Sequence, residues 1–499
     1  MATSALARAE RPGRGRAAAL DDGRLVVGHD ELAPLVEEEG DWLAAGGERF
    51  GLLADNGVGW AIADLALHAR RLPCVPLPGF FTAGQLQHAF DDAGIDCLVT
   101  DDPGRVRPSL AGWHTAGVSG RTGLAMFRRR LDPAARAPLP PGTVKITYTS
   151  GSTGRPKGVC LGAAQLDAVA RSLALATESL GIERHLCLLP LATLLENIAG
   201  IHAPLSVGAS CLLPPSSVTG MSYAGPDVHR LLGCISRAAP QSIVLVPELL
   251  RLLVSAVEVG WQAPGSLKFV AVGGAPVSLD LLERAERAGL PVFEGYGLSE
   301  CASVVCLNTP EARRRGSVGR PLPHVRVRVA DDGQVMVSGA TLLGYLGQPP
   351  RPPGEEWATG DLGELDEEGY LYVHGRIGNL FITSLGRNIA PEWVEREIAQ
   401  QPGVRQVLVH GEARPHAVAI VGVNDASVSD ADLDHAIAAA NARLPEYAQV
   451  RRWARIPEPF SLENGLLTSN GRLRRREILE RHGALIASLY DPTPERGDR

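Results

Sequence analysis

Between Arg49 and Asp101, short apolar runs alternate with amphipathic stretches. Phe50-Gly-Leu-Leu-Ala reads as a strand and leads to a helix around Trp60 to Arg71. Cys74-Val-Pro-Leu, a helix from about Thr82 to Ala93, and Asp96-Cys-Leu-Val-Thr complete a βαβαβ pattern. That pattern predicts a parallel sheet covered on both faces by right-handed crossovers. It resumes with strand-like runs at Val144–Thr147, His185–Leu189, Ala209–Leu213, Ser242–Val246, Leu267–Val272 and Pro291–Phe293, with helices such as Leu249–Val259 and Leu279–Ala288 between them. From Ser317 to about Tyr372 the texture changes to short alternating strands with Gly and Pro turns, as in Val325-Arg-Val-Arg-Val. After Arg376 come strands at Gln406–Val409 and Ala417–Val423, an amphipathic helix over Asp430 to Leu444, and the basic run Arg472-Leu-Arg-Arg-Arg. The expected fold class is α/β: a large N-terminal domain of two parallel βαβ-type subdomains plus a small β subdomain, and a small α+β C-terminal domain.

Composition narrows the possibilities. The 499 residues suffice for two or more domains, and 45% hydrophobic with 21% charged residues is ordinary for a globular chain. A net charge of -7 without a basic stripe argues against nucleic acid as partner, and no apolar run is long enough for a membrane span. Residues 1–20 are Ala/Arg-rich and lack the apolar core of a secretory signal, so a disordered leader is expected there. Eight cysteines in apolar contexts without a C-x-x-C pair point to buried thiols and a cytoplasmic location. Only Lys145, Lys157 and Lys268 are lysine among 49 basic residues.

The most informative stretch is Tyr148-Thr149-Ser150-Gly151-Ser152-Thr153-Gly154-Arg155-Pro156-Lys157-Gly158. Glycines let backbone N–H groups turn toward an anion, hydroxyls donate further hydrogen bonds, and Lys157 adds a compact positive charge. Such a loop suits a polyphosphate. It is not a Walker A loop, because Pro156 and Gly158 flank the lysine where that motif needs Gly before and Ser or Thr after. The stretch closely resembles the phosphate-binding signature of the adenylate-forming superfamily, which includes acyl-CoA synthetases, luciferases and peptide-synthetase adenylation domains.

Further segments carry the resemblance from about Leu52 to Arg476. Gly273-Gly274-Ala275-Pro276 and Glu294-Gly295-Tyr296-Gly297-Leu298-Ser299-Glu300 are similar to the superfamily's adenine- and magnesium-binding motifs. The resemblance implies that Tyr296 stacks on the base, that Ser299 reaches the α-phosphate, and that Glu300 holds Mg²⁺, a hard ion that prefers oxygen ligands. Trp357-Ala-Thr-Gly-Asp361-Leu is similar to the ribose-binding motif, although an Asp after Gly, taken alone, is most often a turn residue. Arg376 matches a residue that contacts ribose or phosphate, and Asn379 falls where the superfamily's hinge carries Asp or Lys. By this reading residues 21–378 are the AMP-binding domain and 379–499 a small mobile one. Leu380 to Glu395 resembles long-chain fatty acyl-CoA synthetases, which would place Ser384 and Gly386 in a CoA tunnel and Gly273 in the acyl pocket.

Two departures matter. Pro190-Leu-Ala-Thr193-Leu-Leu-Glu196 matches a superfamily motif but has Thr193 where His is usual, near the acyl pocket, which admits a bulkier polycyclic acid; a resemblance to ligases of diterpenoid antibiotic acids is a separate expectation carried by no single residue. Arg472 stands where the superfamily's C-terminal motif has the lysine that contacts both carboxylate and α-phosphate during adenylation. A guanidinium is a wide planar fork, so adenylation is expected to suffer while thioesterification is spared. The expected catalytic residues are Arg472, Lys157 and Glu300; ATP, AMP or acyl-AMP and CoA are the small-molecule partners, with a separate adenylating ligase as supplier of acyl-AMP. Alternatives are a complete two-step fatty acyl-CoA synthetase and a non-catalytic acyl-AMP or AMP binder. A serine hydrolase is disfavoured because no G-x-S-x-G is present.

Overall fold

The computed structural model describes residues 18–106, 112–132, 134, 136–149, 157–222, 225–385, 387–423, 425, 427–461, 463–468 and 471–491. Two large sheets dominate the N-terminal part. In the eight-stranded sheet, Phe50–Leu53 lies between Cys74–Pro76 and Cys97–Thr100, parallel to both. Cys74–Pro76 pairs in parallel with Thr143–Thr149, which then pairs antiparallel with Lys157–Gly162. In the nine-stranded sheet Arg184–Leu186, Ser242–Leu245, Phe269–Val272 and Val292–Tyr296 run parallel in that spatial order. The central pair, Ser242–Leu245 and Phe269–Val272, is almost wholly apolar, as strands buried on both faces require.

The helix Val58–Ala69 is apolar almost all round, and ten of its twelve residues are buried. It packs in one core with Phe50, Leu52 and Val99 of the first sheet and Leu20, Cys211 and Leu213 of the second. A helix between two sheets has no solvent face, so the usual amphipathic stripe is lost. Val325–Val329, Gln334–Gly339, Trp357–Leu365 and Leu371–Arg376 form a four-stranded antiparallel sheet. The C-terminal part holds Val404–His410, Ala417–Val423 and Val450–Arg455 in one sheet, with helices Pro391–Ala399, Asp430–Asn441 and Arg475–Ser488. No helix among the described residues is long and apolar enough to cross a membrane.

The structure corrects several expectations. The loose leader cannot extend to residue 20: Ala18–Asp21 is a strand parallel to Ser210–Leu212, with Ala19 and Leu20 fully buried. Alanine carries little strand signal of its own, so only the long-range pairing reveals it. The helix expected over Leu279–Ala288 is found at Leu279–Arg287, where the Ser278 hydroxyl accepts from the Leu281 N–H. The strand expected at Pro291–Phe293 runs through Val292–Tyr296, so Glu294, Gly295 and Tyr296 are strand residues. All eight cysteines are buried and unbridged.

Candidate active site

A cleft of about 2720 Å³ runs between the large N-terminal part and the C-terminal part, and both contribute to its walls. Thr149 pairs with Lys157 in the antiparallel pair of strands Thr143–Thr149 and Lys157–Gly162; Ser150, Gly151, Ser152, Thr153 and Gly154 lie outside the described residues. Lys157 lies where the return strand begins, with Nζ 5.3 Å from the centre of the Tyr345 ring. Tyr345 is held there by the two-residue edge strand Gly344–Tyr345, which pairs with Lys157–Gly162. Its hydroxyl donates to Glu300 Oε1 at 3.1 Å. Glu300 sits in the single turn Ser299–Cys301 that follows the Val292–Tyr296 strand. One ring thus links the lysine of this strand pair to the carboxylate.

A second group lies in the same cleft. Tyr296 donates its hydroxyl to Asp361 Oδ2 at 2.6 Å, and Arg376 Nε donates to Asp361 Oδ1 at 2.8 Å. Asp361 and Arg376 are direct cross-strand partners, so the antiparallel register alone aligns acid and base. The Asp361 N–H is anchored on Thr359 Oγ1 at 3.0 Å. Burial, joined by the Asp361 charge, pushes the Tyr296 phenol well above its ordinary pKa. Burial works against the Arg376 charge too, but the Asp361 carboxylate outweighs it and holds the guanidinium above its usual value.

Arg472 closes the constellation from the C-terminal part. Its Nε and Nη2 both donate to the Gly274 carbonyl, at 2.9 and 2.6 Å. The loop carrying it is fixed by the Arg472 N–H donating to Thr468 Oγ1 at 3.0 Å. Protein crowding around the guanidinium, and the Arg376 charge beside it, lower its pKa. Gly274 has φ +85°, a conformation that glycine adopts without strain and that presents this carbonyl to the cleft.

The profile of the AMP-binding enzyme family matches residues 7–361, and that of the AMP-binding enzyme C-terminal domain matches residues 379–493. The chain belongs to the AMP-binding enzymes. It is 25% identical to the long-chain-fatty-acid–CoA ligase FadD15 of Mycobacterium bovis, over 89% of this chain and 88% of that one. It is 30% identical to the 2-succinylbenzoate–CoA ligase of Bacillus velezensis, over 70% of this chain and 71% of that one. Among solved structures, the anthranilate CoA ligase AuaEII in complex with anthranoyl-AMP superposes with a TM-score of 0.77 at 20% identity, covering 97% of this chain and 98% of that one, a likeness of fold. Membership places this chain among adenylate-forming ligases of the acyl-CoA synthetase type.

The remaining expected residues of this AMP-binding enzyme are distributed as follows. Gly273, Ala275, Gly295, Gly297, Ser299 and Asn379 all border the cleft. A Cβ on Gly297 would sit 1.6 Å from the Ser303 carbonyl oxygen, so no side chain fits there. Thr193 also lines the cleft, but its hydroxyl donates to the Pro190 carbonyl at 2.6 Å, so the change from His adds little polarity to the wall. Asn379 donates from Nδ2 to Glu392 Oε1. Ser384 is exposed and does not line the cleft in this structure; Gly386 lies outside the described residues. Tyr345 and Thr359 were not singled out from the sequence. Tyr345 belongs to no quoted motif and only strand pairing brings it to the site, whereas Thr359 lies within the Trp357–Leu362 motif and supports Asp361 from two residues away.

Glu294 borders the cleft with Oε2 accepting the Gly316 N–H at 3.3 Å, and burial pushes its carboxyl up to about 8. Between the ordinary glutamate value and pH 8 the unfolded chain loses this proton while the folded one keeps it, so stability falls as pH rises through that window. Glu294→Gln removes the penalty. It should raise Tm by a few degrees at pH 8, consistent with a gain on the order of a few kcal/mol, and the gain should vanish towards pH 4.5. Parallel thermal melts of both proteins across this range check it; equal Tm differences at every pH would contradict it.

Proposed function

We propose that the protein makes the CoA thioester of a bulky apolar carboxylic acid through acyl-AMP, with efficient thioesterification and slow adenylation. The observation that carries the reading is the convergence of Lys157, Glu300, Tyr296, Asp361, Arg376 and Arg472 on one cleft. In the proposed reaction the acid's carboxylate oxygen attacks the α-phosphorus of ATP and pyrophosphate leaves. The CoA sulfur then attacks the acyl carbon, and AMP departs with the mixed-anhydride oxygen. Asp361 offers acceptors for the ribose hydroxyls, and Tyr296 offers a ring face for the base. Lys157 and Arg376 add positive charge on either side. Glu300, a half-buried oxygen ligand on the cleft, fits Mg²⁺, which when bound neutralises phosphate charge. The apolar wall beyond Thr193, with Leu188, Ala199, Phe269 and Ala271, supports a bulky apolar acyl group.

Arg472 supports the asymmetry between the two steps. Two of its five N–H donors go to one backbone carbonyl, which fixes the planar fork, whereas adenylation calls for a single compact donor between carboxylate and phosphate. Residues 379–499 would then turn about Asn379 for the second step, carrying Arg472 away and bringing Ser384 and Gly386 to a CoA tunnel. A partner ligase would supply acyl-AMP.

The test has two arms: acid with ATP and CoA, and synthetic acyl-AMP with CoA. Turnover of acyl-AMP at least 100-fold faster than the ATP-dependent reaction is expected. Comparable rates would instead favour a complete two-step synthetase, consistent with Arg472 reaching into the cleft. AMP binding without product in either arm would leave a binding protein.

A further inference from the structure

Lys145 is one of three lysines in a chain whose basic residues are otherwise all arginine, and it lies two strand residues before Thr147 on the wall of the cleft. Its ammonium is 2% exposed and is held 2.8 Å from Asp64 Oδ1, with a second hydrogen bond to Asn197 Oδ1. Asp64 Oδ2 accepts from Asn197 Nδ2 at 2.8 Å and lies 3.1 Å from His202 Nε2. The His202 ring meets the His68 ring edge-on at 5.2 Å, and His68 Nε2 lies 3.0 Å from Asp167 Oδ1. One buried carboxylate therefore ties the strand Thr143–Thr149 to Asn197 and His202 on another element.

That element is a π-helix, Asn197–His202, set between the helical turns Leu194–Glu196 and Ala203–Ser206. In an α-helix, residues five apart are rotated by roughly 140° and cannot share one carboxylate oxygen. The wider π turn, with its i→i+5 bonds, brings them nearly one above the other. Asn197 and His202 are five apart. The register has a consequence on the opposite face, where Leu195, Ala199, Ala203 and Val207 line the cleft at intervals of four. Three such steps drift by roughly 120° in an α-helix; the π turn subtracts from that rotation and keeps the four side chains in one file.

We propose that the Lys145–Asp64–Asn197–His202 network is a positioning device that sets the π register of this helix and thereby the shape of the acyl pocket. The inference rests on the acyl-CoA ligase reading above. A compact ammonium suits a fully enclosed site with two acceptors, which a guanidinium fork would overfill. The four residues touch no substrate; they act through the wall that Leu195, Ala199, Ala203 and Val207 present.

The test compares wild type with His202→Leu, which removes one arm, and His202→Gln, which can still donate to Asp64. Each full-length protein is assayed with CoA and a series of synthetic acyl-AMPs of increasing length and bulk, and AMP affinity is measured by calorimetry. His202→Leu should change the ratio of kcat/KM between the bulkiest and smallest acyl group by at least tenfold, with AMP Kd within twofold, and His202→Gln should restore most of the ratio. An unchanged ratio with a lowered Tm overturns the proposal and leaves a purely structural network. Should His202→Leu not fold, a crystal structure of the wild type decides: a regular α-helix over residues 194–206 overturns the proposal. Absence of turnover in wild type would count against the ligase reading, and that structure would still judge the register.

Discussion

Arg472→Lys raises the rate of ATP-dependent acyl-adenylate formation by about 10²–10³-fold, the span that one well-placed electrostatic donor is worth in a pre-organised site. The guanidinium lies in the cleft already, but its orientation is set by the bonds from Nε and Nη2 to the Gly274 carbonyl. An ammonium on a flexible stem has three donors around a single point and can serve carboxylate and α-phosphate together. Thioester formation from supplied acyl-AMP should change less than threefold. Pyrophosphate release with acid and ATP measures the first quantity, and acyl-AMP consumption with CoA the second. An adenylation rate that does not rise would show that Arg472 already does the lysine's work.

Asp361→Asn weakens AMP binding by about 10–100-fold, because hydrogen bonds to charged groups are each worth roughly 1.5–3 kcal/mol. The carboxylate accepts from Tyr296 and Arg376 in this structure, and its oxygens have lone pairs left for two ribose hydroxyls. An amide loses one of those acceptor atoms and turns a donor toward Tyr296 or Arg376. Calorimetry with AMP reads the affinity. Tm should fall too, although the half-exposed Arg376 side chain keeps that loss smaller than for a fully buried pair. An unaltered Kd would exclude Asp361 as the ribose acceptor.

Much of the candidate site was legible because its motifs are contiguous in sequence and resemble those of a known superfamily. Tyr296, Glu300, Asp361, Arg376 and Arg472 each fall at a matching position of a short run that carries the resemblance. Their partnerships were not legible. Tyr296 and Asp361 are 65 residues apart, and Arg472 and Gly274 are 198 apart. Tyr345 carries no motif at all, and its role follows from a two-residue edge strand. The buried network is harder still: an Asp in a helix and an Asn followed five residues later by a His look unremarkable until a π turn aligns them.

Local pattern was enough for the alternation of strands and helices and for the parallel sheets, since hydrophobic period and turn chemistry are properties of neighbours along the chain. Strand order, the burial of Ala18–Asp21 in the second sheet, the ring that joins Lys157 to Glu300 and the register of the Asn197–His202 helix depended on the assembled molecule. The physical reason is common to all four. Each is set by contacts between segments far apart in sequence, where packing and the pairing of buried polar groups outweigh local preference.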